Sequence, residues 1–243
     1  MGVRNENAGR GAASTRKVIA IVQSNYIPWK GYFDLINRVD EFILYDEVQY
    51  TKNDWRNRNQ LKTPNGKLWI TIPVHQKKMD QKINESLVSN DIWRKKHWKT
   101  IIQNYSKAKH FDYYKELFEK LYLDSNERLL SRINHRFLIA ICGILGIKTK
   151  ISWSMDYSLI EGKTERLVGL CKQAGATEYL SGPTAKDYID DNLFKSEGIS
   201  IHYMDYSGYP EYNQFYPPFD HAVSIIDLIF NEGPDAQKYM KSF

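Results

Sequence analysis

Polar residues that could bind a ligand follow the first apolar run of the chain, at 18–22. This stretch, QSNYIPWKGYFDLI, reads as the end of a strand, a loop and the start of a helix. Ligands bind outside the carboxyl ends of strands in open α/β sheets. The start of a helix also offers unpaired N–H groups to a phosphate. A turn whose aromatic residues belong to the core is the alternative. The predicted binding residues are Gln23, Asn25, Trp29, Gly31 and Tyr32.

The densest polar stretch of the chain, DEVQYTKNDWRNRNQLKT at 46–63, follows a second apolar run. Arginine binds phosphate through two parallel hydrogen bonds, and a tryptophan ring could stack on a base or a sugar. An exposed, charged hairpin would explain the same composition. The predicted binding residues here are Gln49, Trp55, Arg56, Asn57, Arg58 and Asn59.

A third polar stretch, SGPTAKDY at 181–188, repeats the pattern of strand, turn and helix start. A serine–glycine–proline turn is weak evidence alone, but two such loops at one sheet edge favour a phosphate site. The predicted binding residues are Ser181, Gly182, Lys186 and Tyr188.

Three side chains are candidate proton carriers. Asp46 ends a predicted strand, Tyr26 lies in the first loop, and His97 faces the apolar stripe of a predicted helix. A core histidine is the alternative for His97. His221, at the start of the last predicted helix, is a further binding residue and a second candidate base. The sequence has no catalytic-triad order, Walker sequence or metal-ligand spacing, and it identifies no cofactor.

The order of apolar runs predicts an α/β fold with a mostly parallel sheet. Strands alternate with helices at both ends of the chain, and residues 58–63 and 67–74 read as a hairpin around a Pro-Asn-Gly turn. An α-helical insert is expected at about 91–146. The sequence therefore predicts a tail at 1–16, which we expect to be disordered, and a single α/β domain at 17–243.

The charge of the chain is unevenly spread. Lysine and arginine number 34 against 29 acidic residues, a formal net charge of +5. Between residues 51 and 110 we count 14 basic and 4 acidic side chains, which is +10. Such a block favours a polyanionic partner, namely a nucleotide, a nucleotide-linked sugar or RNA. A solvated helix face is the alternative.

Cysteine usage and hydropathy predict a cytoplasmic protein. The two cysteines, Cys142 and Cys171, lie in apolar helical patterns without a metal-binding or disulfide motif. No run of 18 apolar residues is present, so we expect no membrane insertion. The first 16 residues lack the apolar region of a signal peptide. The oligomeric state is not predicted.

The chain resembles the WbqC-like family of bacterial surface-polysaccharide gene clusters. The resemblance is carried by QSNYIPWKGYFDLI, DEFILYDEVQYTKNDWRNRNQL with WITIPV, YLSGP, and PEYNQFYPPFDHAVSIIDLIFNEG. It implies a role in making O-antigen or related glycans. Ser24 departs from the proline that commonly follows the first glutamine. The first loop also resembles the phosphate-binding turn of nucleotidylyltransferase-like domains, with Tyr32 in place of a histidine, which implies a Rossmann-like sheet.

These observations leave three hypotheses. The first is an enzyme of O-antigen biosynthesis that adds an acyl or aminoacyl group to a nucleotide-linked sugar. The second is a transferase that uses a nucleotide or an aminoacyl-tRNA as donor, for which the basic block and its tryptophans would bind RNA. The third is a non-catalytic scaffold of a glycan assembly complex.

Overall fold

The structure is a computed structural model, and it describes residues 15–243. The tail predicted at 1–16 lies almost entirely outside the described residues. The strands are β1 (Val18–Val22), β2 (Glu41–Leu44), β3 (Arg58–Thr63), β4 (Gly66–Thr71), β5 (Val74–His75), β6 (Leu87–Val88), β7 (Lys150–Trp153), β8 (Glu178–Ser181) and β9 (Ser200–Tyr203). The α-helices are α1 (Lys30–Asn37), α2 (Ile92–Tyr105), α3 (Phe111–Leu123), α4 (Leu130–Leu145), α5 (Thr164–Gln173), α6 (Asp191–Ser196) and α7 (Ile225–Glu232).

Five parallel strands form the central sheet, in the order β7-β2-β1-β8-β9. Strand β1 pairs with β2 on one side and with β8 on the other. The chain therefore first adds β2 and β7 on one side of β1, and then adds β8 and β9 on the other side. This arrangement confirms the Rossmann-like α/β prediction and creates a topological switch point between β1 and β8. Ligands bind at such a point in open α/β sheets, at the carboxyl ends of the strands.

Alternate residues of β1 enter different cores on the two faces of the sheet. Val18 and Ala20 pack in a large core with α1, the α2–α4 helices and α7. Ile19 and Ile21 pack in a smaller core with α5 and α6. Because successive strand side chains point to opposite faces, a strand covered on both faces must be apolar throughout, as VIAIV is.

Three helices, α2, α3 and α4, occupy the stretch where a helical insert was expected at about 91–146. Helix α2 is tied to the end of the chain, because the Tyr105 hydroxyl donates to the Asp227 carboxylate of α7 at 2.8 Å. Tyr212 donates to the same carboxylate at 2.6 Å. These buried hydrogen bonds attach the helices to the face of the sheet that also carries α7.

The predicted hairpin is present as β3 and β4, which pair in antiparallel register from Arg58 opposite Thr71 to Thr63 opposite Gly66. The strand expected at 67–74 is interrupted, however. Ile72 is the last residue to follow the ladder register, opposite Asn57, and donates its N–H to the Asn57 carbonyl at 2.7 Å. Pro73 follows it and has no N–H to donate. Val74 and His75 then pair with β6 in a separate two-stranded sheet.

The helix expected directly after Ser-Gly-Pro is also different. Residues Pro183–Asp187 form a 3-10 turn, and helix α6 begins later, at Asp191. A single 3-10 turn aligns few peptide dipoles, so it offers a weaker anion site than an α-helix. The phosphate site predicted at 181–188 therefore lacks the helix that was to form it.

Candidate functional site

The loop after β1 is held in a strained conformation by hydrogen bonds from distant parts of the chain. Ile27 has a φ of 36°, which is unusual for a β-branched residue. The Asn59 amide donates to the carbonyls of Tyr26 and Ile27, at 3.0 Å each. The Ser224 hydroxyl donates to the Ile27 carbonyl at 2.7 Å. Backbone strain of this kind persists only where the surroundings enforce it, and it is common at functional sites.

Arg56 lies at the carboxyl end of β1, between two side chains of this loop. Its guanidinium donates to the Asn25 amide oxygen at 2.9 Å and to the Gln23 amide oxygen at 3.2 Å. The carboxylate of Asp54 is 3.8 Å away, and 19% of the Arg56 side chain is exposed. The predicted residues Gln23, Asn25 and Arg56 are thus brought together, and a partly exposed cation marks the strand end.

A cavity of about 360 Å³ opens at the switch point, beside Gln23. We call it the carboxyl-edge cavity. Its walls come from the ends of β1, β2 and β8 and from the start of α5, and Tyr188 also lines it. Arg166 of α5 donates to the Tyr45 hydroxyl at 3.1 Å, and Lys163 precedes the same helix. The cavity thus combines tyrosine rings with two cations.

A second cavity, of about 310 Å³, opens beside Asn25, and we call it the aromatic cavity. Trp29 and Trp55 line it together with His221. The Trp29 ring is fixed edge-on by Tyr206, with ring centroids 5.1 Å apart. This ring occupies the space over Gly31, where a Cβ atom would come within 2.3 Å of it. The Trp29 ring therefore requires a glycine at this position.

His221 faces the aromatic cavity with ionisation properties suited to a base. Burial lowers the pKa of His221, and the nearby charge of Lys30 lowers it further. The ring is therefore neutral at pH 7 and can accept a proton. Its Nδ1 atom is buried and has no hydrogen-bond partner among the described residues.

Lys30, which the sequence analysis did not select, lies behind this cavity. It is almost fully buried, and its ammonium donates to the Pro210 carbonyl at 3.1 Å. It also lies 4.8 Å from the centre of the Tyr209 ring, which favours the charged form. Burial nevertheless lowers the pKa of Lys30 to about 8. Lys30 therefore keeps the neighbourhood of His221 electropositive.

Asp46 is buried and lies behind the carboxyl edge of the sheet. Its carboxylate accepts the Ser24 N–H at 2.8 Å and a hydrogen bond from the Ser131 hydroxyl. It therefore fixes the first loop to the end of β2 and to α4. Burial raises the pKa of Asp46, and the hydrogen bonds from Ser131 and Ser24 oppose this effect. The carboxylate lines neither cavity, so a catalytic role for Asp46 stays a prediction.

Tyr26 and His97 form a separate buried pair. The Tyr26 hydroxyl shares hydrogen bonds with His97 Nδ1 at 3.0 Å and with the Tyr122 hydroxyl at 2.7 Å. Burial raises the pKa of Tyr26 well above its ordinary value, and burial lowers the pKa of His97 to about 4. Neither residue is hydrogen-bonded to the Asp46 carboxylate within the described residues, and His97 lines a different cavity, between β4 and α2.

The other predicted binding residues divide into supporting and distant ones. Tyr32 donates its hydroxyl to the Gln23 carbonyl at 2.8 Å, and Asn57 donates to the Ile72 carbonyl at 2.9 Å. Arg58 stacks on the Trp69 ring at 4.0 Å. Four others line neither cavity: Gln49, which donates to the Met79 carbonyl; Ser181, which is hydrogen-bonded to the Tyr179 hydroxyl; Gly182, which directly precedes the 3-10 turn; and Lys186, which lies over the Tyr203 ring.

Sequence reasoning missed the cationic wall of the carboxyl-edge cavity. Both residues lie in GKTERLVG, with Lys163 directly before α5 and Arg166 in its first turn. A basic residue at a helix start is unfavourable for the helix dipole, and that local signal could have identified them.

Within residues 15–243, no group of three histidine, cysteine, aspartate or glutamate side chains could hold a metal ion. None of the helices in this range is both long and apolar enough to span a bilayer.

Comparison with known proteins connects the site to a family. A model of the WbqC-like protein family matches residues 23–239, which include every lining residue of the aromatic cavity and all but Ile21 of the carboxyl-edge cavity. An uncharacterized protein of Mycobacterium tuberculosis, Rv1507c, is 51% identical over 226 residues, covering 93% of this chain and 98% of that protein. No solved structure matches the chain. Since the family match extends over nearly the whole sequence, this chain belongs to the WbqC-like protein family.

Proposed function

We propose that this protein is an enzyme of bacterial surface-polysaccharide biosynthesis that transfers an acyl or aminoacyl group to a nucleotide-linked sugar. The position of Arg56 is the observation that carries this proposal. It is hydrogen-bonded to Gln23, which lines one cavity, and to Asn25, which lines the other. A nucleotide-linked sugar has a matching layout, because its diphosphate separates a nucleoside from a sugar.

The carboxyl-edge cavity suits the nucleotide. It lies at the switch point, where α/β folds bind nucleotides. Tyr45 and Tyr188 offer ring faces for a base and hydroxyls for a ribose. Lys163, Arg166 and Arg56 would share the charge of the diphosphate, since guanidinium groups bind phosphate through paired hydrogen bonds.

The aromatic cavity suits the sugar and the reaction. The rings of Trp29 and Trp55 give apolar walls, and the amides of Asn25 and Asn59 lie on its surface. Acyl transfer requires a base that takes a proton from the attacking amine or hydroxyl of the sugar. We assign this role to His221, which is neutral at pH 7 and lines the same cavity.

The proposal is tested by calorimetric titration of the full chain with UDP-N-acetylglucosamine, dTDP-glucose and GDP-mannose, and with UDP alone. Arg56→Ala should weaken binding by about 1.5–3 kcal/mol, the worth of hydrogen bonds to a charged group. Arg136→Ala is a matched control, because Arg136 is also half-buried and makes two hydrogen bonds, to the carbonyls of Lys120 and Asp124 on the helical side. It should leave the affinity unchanged.

Three results would contradict the proposal. Equal affinity in both variants would show that Arg56 does not contact the ligand. A large fall in melting temperature with unchanged binding would make Arg56 structural. Binding of bulk tRNA without binding of any nucleotide sugar would favour RNA as the partner.

We place the activity in the cytoplasm, where the free buried thiols of Cys142 and Cys171 would remain reduced.

A further inference from the structure

A third cavity, of about 500 Å³, forms an elongated groove between strand β4 and helix α2. One wall is the strand itself, residues 68–71. The other wall is a single face of the helix, which includes Trp93, Lys96, His97 and Thr100. We call it the β4–α2 groove. It shares no lining residue with the carboxyl-edge and aromatic cavities.

The outer edge of the β3–β4 hairpin faces this groove. In an antiparallel ladder, the backbone groups of successive residues point alternately toward the partner strand and away from it. Gln60 and Lys62 of β3 bond away from β4, because the Gln60 carbonyl accepts the Ser224 N–H and the Lys62 N–H donates to the Tyr105 hydroxyl, both at 2.9 Å. Their partners across the ladder, Trp69 and Lys67, must therefore point away from β3.

Thr71, which lies opposite Arg58, is two residues from Trp69, so its backbone N–H and C=O groups also point away from β3. In the described part of the chain, this sheet has two strands, so no third strand covers β4. The edge thus presents the backbone N–H and C=O groups of Lys67 and Trp69 and the N–H of Thr71, at a repeat of about 7 Å, whereas the Thr71 carbonyl accepts a hydrogen bond from the His97 ring of α2. Such an edge is a template for another strand.

Side chains along the groove are apolar with a cationic rim. Ile92 is 73% exposed and Trp69 is 39% exposed, which are large values for residues of their size. Lys96 lines the groove, and Lys95 and Lys99 are exposed on α2 outside its lining. The groove lies within the stretch of residues 51–110, where 14 basic side chains face 4 acidic ones. Its charge therefore complements an acidic partner.

We propose that the β4–α2 groove binds an extended acidic segment of a partner protein, which adds to β4 as a third strand. A groove between a free strand edge and a helix is a recurring way to bind peptides, with backbone hydrogen bonds along the strand and side chains held by the helix. The proposal goes beyond the transfer reaction and does not depend on it.

Single-stranded nucleic acid fits these observations less well. Bases bind by stacking on exposed aromatic faces. The Trp69 ring is contacted by the Arg58 guanidinium at 4.0 Å and by Trp55, with ring centroids 5.4 Å apart. The Arg58 guanidinium therefore occupies one stacking position on this ring. Nucleic acid also has no backbone that matches the alternating N–H and C=O groups of a strand edge.

The test uses a displayed library of random twelve-residue peptides, selected on the full-length protein. Enriched peptides are then synthesised with a fluorescent label and titrated against two variants. Thr71→Pro removes the outward N–H of β4, and Thr71→Val keeps it while removing the hydroxyl. An edge position tolerates proline because its N–H has no partner in the sheet. Melting temperatures verify that both variants fold.

We expect the enriched peptides to combine acidic residues with alternating apolar ones. Thr71→Pro should weaken their binding about tenfold, the worth of one backbone hydrogen bond, whereas Thr71→Val should not. Lys96→Glu should also weaken binding, and Lys95→Glu, which lies on α2 outside the groove, should do so less. Amide hydrogen exchange of Trp69 and Thr71 should slow in the complex.

Other outcomes would overturn the proposal. A selection that enriches no peptide would show that the edge is not a docking site. Equal affinity of Thr71→Pro and Thr71→Val would place the peptide elsewhere. An octauridylate probe that binds with protection of Trp69 and Thr71, when the peptides do not, would make the groove a nucleic-acid site.

Discussion

The carboxylate of Asp46 shows how burial decides what an ionisable residue can do. At the end of a strand it has the position expected of a base, but its two oxygens are occupied by the Ser24 N–H and the Ser131 hydroxyl. His221 differs in this respect. It follows a proline-rich loop, a position that does not by itself indicate a base, but its side chain lines a cavity together with two tryptophans. The two candidate bases therefore differ mainly in whether the side chain reaches a cavity, and less in the chemistry of the side chain.

Replacement of Asp46 by asparagine should leave turnover within a few-fold of the wild type. The asparagine oxygen can accept the Ser24 N–H, and its amide can donate to Ser131, so the first loop keeps its position. Asp46→Leu should instead destabilise the fold by about 1–3 kcal/mol, because the buried Ser24 N–H loses its partner. Steady-state kinetics and urea unfolding measure the two effects. A loss of about 10²–10⁴ in turnover for Asp46→Asn would restore Asp46 as the base.

His221→Asn should reduce turnover by about 10²–10⁴, the usual scale of lost general-base catalysis. The pH dependence gives a second readout. Because burial lowers the pKa of His221, the base is neutral at pH 7, and kcat/KM should fall as the pH decreases through a value below 6.5. His202→Asn, at an exposed position on β9, is the control. An acid limb that persists unchanged in His221→Asn would assign the proton transfer to another group.

At the scale of elements, the site depends on how the first loop is fastened. The hairpin supplies Asn59, and the residue before α7, Ser224, supplies a hydroxyl; both hold the carbonyl of Ile27. The Tyr26 N–H donates to the Trp55 carbonyl at 2.9 Å. The hairpin therefore fixes the loop and contributes Arg56 and Trp55 at the same time, so the loop and the side chains around it are positioned as one unit.

Gly31→Ala tests whether the position of Trp29 forms the aromatic cavity. The new Cβ would overlap the Trp29 ring and displace it, so nucleotide-sugar affinity should fall and stability should decrease by about 1–3 kcal/mol. Gly143→Ala is the matched control in another helix, where a Cβ meets no atom within 4 Å. It should stabilise the protein by about 0.5–1 kcal/mol and leave binding intact. Urea unfolding and calorimetry distinguish the cases, and unchanged affinity in Gly31→Ala would remove Trp29 from the binding site.

For the whole molecule, Glu41 joins strands at the amino edge of the sheet, opposite the site. Its buried carboxylate accepts hydrogen bonds from Lys17 at 2.8 Å, from Ser152 at 2.6 Å and from Tyr157 at 2.5 Å, and it pairs with Lys150 at 2.9 Å. Burial alone would raise the pKa of Glu41, but these interactions outweigh it and hold the pKa at about 2. Ion pairs and hydrogen bonds of Glu41 thus connect the strands at the amino edge of the sheet, whereas the carboxyl edge opens into a cavity.

The pH dependence of stability should reveal this interaction. A carboxyl whose pKa is lowered on folding stabilises the protein above its unfolded pKa, near 4.5, and this contribution is lost as the pH falls toward 2. The loss amounts to about 3 kcal/mol. Glu41→Gln should be less stable than the wild type at pH 7 in urea unfolding, and the difference should shrink below pH 4.5. A difference that stays constant from pH 7 to pH 3 would show that the charge of Glu41 contributes nothing.

The sequence determined the local elements of this protein, because each depends on neighbours along the chain. The apolar runs predict β1, β2, β8 and β9, and the Pro-Asn-Gly turn predicts the hairpin. The polar loop after β1 predicts a site at the carboxyl edge. Even the interruption of the strand at Pro73 follows from the missing N–H of proline, which is a local property that the strand pattern concealed.

Only the tertiary structure decided which of the predicted residues meet. The order of strands sets β1 beside β8, and this places Gln23 near Lys163 and Arg166, which no local pattern connects. The same packing buries Asp46, whose carboxylate accepts two hydrogen bonds, and places His221 beside Asn25. Burial and contacts between distant residues depend on how the sheet and helices pack. Hydrophobic periodicity along the chain predicts single helices and strands, but it does not predict how they pack together.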